Sequence, residues 1–374
     1  MTVLSLLPRA VDSSNIGLPI EAACSSGPSS MSQIGSCASK QVEHKKISSE
    51  ALRIFRDILN PHLLGKIEKI QESEREIAEI RRRISESLQR TIATYLNCHE
   101  DGKGIYYPVD YENYLKVNGI TSSEIDPSKG FANPEFFEKS KYRSLTFGLK
   151  EGKKASEALL AFLTGPTIAD CLNSTYACFY QCLLDVLGEE KFNILFSFSS
   201  HPFSLEISQD HFFEGKPIIH NLVIQREKTN NPIRVGDRCF FRGVAGFGEK
   251  HPAGCEAGWS VICTGINSEG EPLFAGHGIK TPSTKSEIEQ LLLDAYRKPC
   301  SERDIRHFEE KEGLKYIQRF FPNYLSSEAP YEYIAEREKP YLRKERIYLN
   351  AEKLVELVKV KPDLKSLFDI IFSH

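Results

Sequence analysis

The order of local patterns constrains this chain more than any single motif. A stretch at 170–187, DCLNSTYACFYQCLLDVL, has helical spacing and stops at Gly188. Strand-like runs follow at 217–225, 238–242, 259–264 and 273–279, divided by Gly, Pro and Asn. Shorter helix signals precede it at 111–117 and 156–162. Helix first and strands afterwards predicts an α+β fold, not an alternating parallel sheet.

The two ends differ from this centre. Residues 11–40 are rich in Ser, Gly and Pro and bury too little apolar surface to offset their ordering entropy, so 1–45 reads as a disordered tail. Apolar residues then recur at Leu52, Ile54, Phe55, Ile58 and Leu59, up to Pro61. A longer stripe of Ile67, Ile70, Ile77, Ile80, Ile84, Leu88, Ile92 and Leu96 follows. Residues 46–100 therefore read as a helical hairpin or coiled-coil arm. That arm is either a seam for a partner or second copy, through 62–97, or a helix lying on the next domain. The triplet Arg81–Arg83 reads as a solvated face. Residues 301–374, cut by Pro322, Pro330, Pro340 and Pro362, read as a helical appendage with Leu354, Leu357, Val358, Leu364, Leu367, Phe368 and Ile371 as its apolar positions. The central domain is then 101–300.

Charge and composition exclude several classes. Lys and Arg total 48 against 51 Asp and Glu, a net charge of −3, which gives no whole-chain attraction for nucleic acid. No apolar run approaches the roughly 20 residues that cross a bilayer, and the start lacks a secretory pattern. The expected compartment is the cytoplasm, with a secretion address in the tail as the alternative. Ten cysteines without C-x2-C pairs read as reduced thiols, most of them small buried hydrophobes. P-loop, G-x-G-x-x-G and H-E-x-x-H motifs are absent.

The chemistry concentrates on two residues. Cys171 stands at the start of the long helix, where unsatisfied backbone N–H groups and the helix dipole favour a thiolate. Cys178 and Cys182 lie one and two turns further on and read as core. In FAGHGI (274–279), His277 sits between two glycines in a strand-like run, where small neighbours permit close backbone approach. A helix-start cysteine facing a histidine on a later strand resembles the layout of papain-like cysteine enzymes. A hydrogen-bonded core histidine is the plainer alternative, and His220 is a weaker rival.

Six segments in order strengthen that likeness: 131–165, 171–196, RVGDRCFFRG (234–243), WSVICTG (259–265), FAGHGI and IEQLLLDAYRKP (288–299). Together, over about 105–300, they resemble the spore-coat type of bacterial protein-glutamine γ-glutamyltransferase, a papain-like transglutaminase. The resemblance implies a papain-like, NlpC/P60-like α+β core, with a Cys-bearing helix packed on an antiparallel sheet that bears the His. The helical additions at either end lie outside it.

The resemblance also implies roles. Cys171 would be the nucleophile, preceded by Asp170, and His277 its partner. The family's supporting glutamate falls on Trp259 here, so Glu256 or Asp170 would have to replace it. Trp259 and Phe247 would line a dry acceptor tunnel, while Phe240 and Phe241 read as core. The implied reaction is acyl transfer from a protein glutamine to a lysine amine, through a Cys171 thioester to an isopeptide crosslink, without metal or nucleotide. Its partners would be proteins with accessible Gln and Lys. Glutamine deamidation or proteolysis on the same pair is the alternative within enzymes. An interaction module that has lost catalysis is the alternative outside them.

Overall fold

The computed structural model describes residues 61–96, 103–107, 111, 115, 130–139, 146–196, 206–207, 223–228, 231–310 and 339–372. The serine-rich tail, the apolar run 52–59, His220 and most of 111–117 and 217–223 lie outside these residues. Apart from Pro61, the described structure belongs to one compact unit, His62–His374.

The elements, in chain order, are α1 (Pro61–Thr91, with a π-helical turn at Ile92–Leu96), β1 (Ile105–Tyr106), β2 (Phe137–Lys139) and β3 (Phe147–Leu149). Next come α2 (Ala155–Thr164), β4 (Thr167–Ile168), α3 (Cys171–Leu187), α4 (Glu189–Phe196), β5 (Glu206–Ile207), β6 (Ile224–Glu227) and β7 (Arg238–Arg242). The remainder are α5 (Phe247–Lys250), β8 (Gly258–Ile266), β9 (Pro272–Gly276), β10 (Ile279–Ser283), α6 (Lys285–Arg297), α7 (Glu302–Glu310), β11 (Tyr341–Leu349), α8 (Ala351–Lys359) and α9 (Leu364–Phe372). The mixture of helix and antiparallel sheet is α+β.

The main sheet has the order β10-β9-β8-β7-β11-β6, and every neighbouring pair is antiparallel. Its central strand β8 is buried on both faces, which is why 259–264 reads as a nearly unbroken apolar run. Alternation along the strands sorts the side chains. Cys239, Phe241, Trp259, Val261, Cys263 and Phe274 point to one face, against Ile288 and Leu292 of α6. Ile262, Ala275 and Ile347 point to the other, into the larger core with Tyr176, Phe179 and Leu183 of α3. Separate small sheets pair β2-β3-β5 and, in parallel, β1-β4.

Two expectations for the ends need correcting. Residues 341–349, expected within a helical appendage, form a strand inserted between β7 and β6. Its sequence, YLRKERIYL, disguises this because Arg346 lies buried in the sheet, bonded to Glu227 on β6 (2.8 Å) and Asp237 beside β7 (3.0 Å). The helices that follow are not peripheral either, since Leu354, Leu357 and Leu367 are fully buried in the main core.

The segment at 61–96 takes the second of its two readings: a helix laid on the domain. Ile80, Ile84, Leu88, Ile92 and Leu96 all enter the main core. Arg83 donates to the Asp185 and Val186 carbonyls at the α3 C-terminus (2.9 and 3.2 Å), where a cation offsets the helix dipole. Of the basic triplet, Arg81 and Arg82 are on the exposed face and Arg83 is not. Among the described residues, no helix is long and apolar enough to cross a membrane.

Candidate active site

The start of α3 is fixed by its own sequence. Asp170 is the N-cap, its carboxylate accepting from the Asn173 amide (2.8 Å), and Gly188 (φ 83°) ends the helix. Cys171 is the first helical residue. Short parallel pairing of β1 with β4 aligns Tyr106 with Ile168, and Ala169 N–H bonds the Tyr106 carbonyl (3.0 Å). The two chains leave this pair side by side, which brings Tyr107 next to Asp170 and Cys171.

His277 arrives from the sheet. It lies in the turn between β9 and β10, one residue past the strand where the sequence pattern placed it. Both flanking glycines have identifiable reasons. A Cβ on Gly276 would stand 2.9 Å from the Ser260 carbonyl of β8, so the strands could not approach as they do. Gly278 takes φ 85°, a left-handed conformation that closes the turn.

These segments meet in one cluster. The Ser174 hydroxyl, one turn along α3 from Cys171, lies 3.3 Å from His277 Nδ1 and donates to the Asp170 carbonyl (2.7 Å). With its hydrogen committed there, the Ser174 oxygen is left to accept, which assigns Nδ1–H to the ring. Tyr107 stacks on His277, centroids 3.9 Å apart, and its hydroxyl donates to the His277 carbonyl (3.5 Å) while favouring the Cys171 thiolate. Ser260 N–H donates to Cys171 Sγ (3.4 Å), while Ser260 Oγ accepts from Arg238 (2.8 Å). Arg238 lies across the Tyr176 ring of α3, 5.7 Å from its centroid.

Electrostatics at Cys171 oppose one another. Burial is the largest influence and pushes the thiol above its ordinary value, and the Asp170 carboxylate adds to it. The Ser260 N–H, the Tyr107 hydroxyl and the Arg238 charge pull the other way, more weakly. Cys178 and Cys182 are fully buried core thiols, pushed well up by burial. The described cysteines are all free. Among the described residues, no group of three or more His, Cys, Asp or Glu side chains is placed to hold a metal ion.

Other residues singled out from sequence are not brought into this cluster. Glu256 accepts from the neighbouring Cys255 amide (3.0 Å), not from an imidazole. Trp259 faces away, because it precedes Ser260 by one and strand alternation sends it to the α6 side with Phe241 and Ile288. Phe247 is buried in a different cluster with Val244, Ala295 and Tyr296. The two therefore do not line a common tunnel. Phe241 is core, as expected, but Phe240 is only half-buried, with the Arg343 guanidinium 4.9 Å from its ring centroid.

Tyr107, Ser174, Arg238 and Ser260 were not singled out from sequence. Ser174 carried a signal, since i+3 on a helix shares the face of Cys171. Arg238 and Ser260 carried a weaker one, being polar residues within two adjacent, largely apolar strands.

No family model matches the chain, and no curated protein matches it. Among solved structures, it is similar to a transglutaminase from Geobacillus stearothermophilus (without C-terminal extension). The identity is 14% and the TM-score 0.45, over 76% of this chain and 99% of that one.

Proposed function

We propose that this protein is a cysteine acyltransferase of the protein-glutamine γ-glutamyltransferase kind, with Cys171 as nucleophile and His277 as its acid–base partner. One observation carries the reading. A thiol at a helix start receives a strand amide, while the same helix's next turn holds the imidazole through Ser174.

The reaction runs as acyl transfer. Cys171 sulfur attacks the γ-carboxamide carbon of a glutamine, its proton passing to His277, and the carbonyl oxygen becomes an oxyanion. Backbone N–H groups at the α3 start, with that of Ser260, stabilise this charge. The C–N bond breaks as His277 returns the proton to the departing ammonia, leaving a thioester. A lysine amine then attacks the thioester, gives its proton to His277 and forms the isopeptide, and the sulfur leaves as thiol. Water in place of the amine gives deamidation. Proteins bearing accessible Gln and Lys are the substrates this chemistry calls for.

The reading of a non-catalytic interaction module is favoured by a different observation: burial, and after it the Asp170 carboxylate, push the thiol above its ordinary value. Incorporation of a labelled primary amine into a glutamine-bearing protein separates the two. The enzyme reading expects incorporation by the wild-type chain, its loss in Cys171→Ala, a fall of several orders of magnitude in His277→Ala, and retention in Cys178→Ala. Activity retained in Cys171→Ala ends the assignment of the nucleophile. No incorporation by the wild type, with Cys171 no more reactive than other accessible thiols, favours the module.

A further inference from the structure

Two buried arginines in this protein are treated differently. Arg346 is fully engaged, with Glu227 and Asp237 as its counter-charges. Arg238 is 8% exposed, yet among the described residues no carboxylate lies within ion-pair distance of it. One terminal nitrogen bonds the neutral Ser260 hydroxyl, its Cζ lies over the Tyr176 ring, and its buried Nε has no hydrogen-bond partner among the described residues. A desolvated guanidinium without an anion is an expensive arrangement, and it persists where an anion forms nearby.

Ser260 shows where that anion forms. Its Oγ holds Arg238 at 2.8 Å, and its N–H points to the Cys171 sulfur at 3.4 Å. One residue thus spans the unpaired cation and the thiol. We propose that Arg238 is a positioning residue that supplies the counter-charge for the Cys171 thiolate, acting across Ser260. The inference deepens the acyltransferase reading and rests on it for its purpose, but not for its test.

Arg238 gives the site a source of positive charge other than an imidazolium. It suits a chain in which the expected supporting acid is replaced by Trp259, facing the opposite side of the sheet. Ser174 selects the Nδ1–H form of His277, which leaves Nε2 to take the proton in the proposed reaction. Among the described residues, the other ionisable groups acting on the sulfur are Asp170 on the helix start and Tyr107 beside β1, which stacks on His277. Cys255 acts on the same Tyr107 hydroxyl. Behind Arg238, Tyr176 is within the field of Arg226 and Glu345. None of these supplies a permanent cation to Cys171 as Arg238 does.

The test is the pH dependence of Cys171 alkylation by iodoacetamide, read on the Cys171 peptide by mass spectrometry in the full-length folded chain. Arg238→Gln keeps an N–H donor for Ser260 but removes the charge, and Arg238→Lys keeps the charge. The expected result is a midpoint raised by about one unit or more in Arg238→Gln, equal to about a tenfold slower reaction below it, with Arg238→Lys close to wild type. An unshifted Arg238→Gln overturns the proposal. So does an equal shift in both variants, which would mark a merely structural hydrogen bond.

If Arg238→Gln does not fold, Ser260→Ala with Arg238 intact replaces it. Loss of the bridge must then raise the midpoint, and an unchanged value overturns the proposal. Absence of amine incorporation alongside the expected shift would defeat the acyltransferase reading and leave this inference standing.

Discussion

The Tyr107 and His277 rings lie nearly parallel, 8° apart in plane, while the same tyrosine's hydroxyl donates to the His277 carbonyl (3.5 Å) and favours the Cys171 thiolate. One side chain therefore acts on both members of the proposed pair. It sits there because β1 and β4 run in parallel and release their chains side by side.

Tyr107→Phe separates those two contacts. Stacking remains, while the hydroxyl's bond to the His277 carbonyl and its pull toward the thiolate both go. Cys171 alkylation near pH 8 should slow by roughly tenfold, the effect of one hydrogen bond to a charged group, with the thermal midpoint little changed. Faster alkylation would mean that the hydroxyl acts chiefly as a shield.

Gly276→Ala tests the strand contact that delivers the histidine. The added methyl would meet the Ser260 carbonyl of β8 at 2.9 Å, a backbone atom that cannot swing aside. We expect a loss of about 1–3 kcal/mol in denaturant unfolding, the usual cost of overpacking, and lowered Cys171-dependent amine incorporation. Unchanged stability and activity would show that β9 does not depend on this approach.

Arg346→Leu tests whether the last strand is integral. The change leaves Asp237 buried without its counter-charge; its pKa is already raised, burial being the main cause. The expected cost is about 3–5 kcal/mol in equilibrium unfolding. Hydrogen exchange should rise along β7 and β6 together. Exchange confined to β11 would contradict a role for this residue in joining them.

Asp304 predicts an acid response. It bonds the Ser301 hydroxyl (2.6 Å) and the Ala253 amide (3.0 Å) and faces His251 (3.4 Å), contacts that outweigh its desolvation and hold its pKa below the ordinary value. A carboxyl depressed in the folded state adds stability at neutral pH. That contribution is lost as pH falls below about 4, through the range where the unfolded carboxyl protonates and on toward the folded value. Asp304→Asn should be less stable than wild type at pH 7, and the gap should narrow by pH 3 in urea titrations. A constant gap would rule out this linkage.

The sequence was most readable where one local signal decided the outcome. Gly188 stops α3, the 238–242 run is β7, and Cys171 heads its helix as expected. It was least readable where a distant partner altered a residue's meaning. Arg346 reads as surface charge until Glu227 and Asp237 are placed around it. Trp259 reads as a neighbour of the site until strand alternation turns it away. Tyr107 carries no local mark at all, since its position depends on a two-residue parallel pairing across 62 positions of chain (167 − 105).

The insertion of β11 has a consequence for synthesis. While a ribosome is still making the segment before residue 341, β6 and β7 have no strand between them, and the strand carrying Arg238 presents a raw edge. The platform under the cysteine can close only after residues 341–349 have emerged, so the cysteine's helix and the histidine's turn, both made earlier, cannot complete this centre alone.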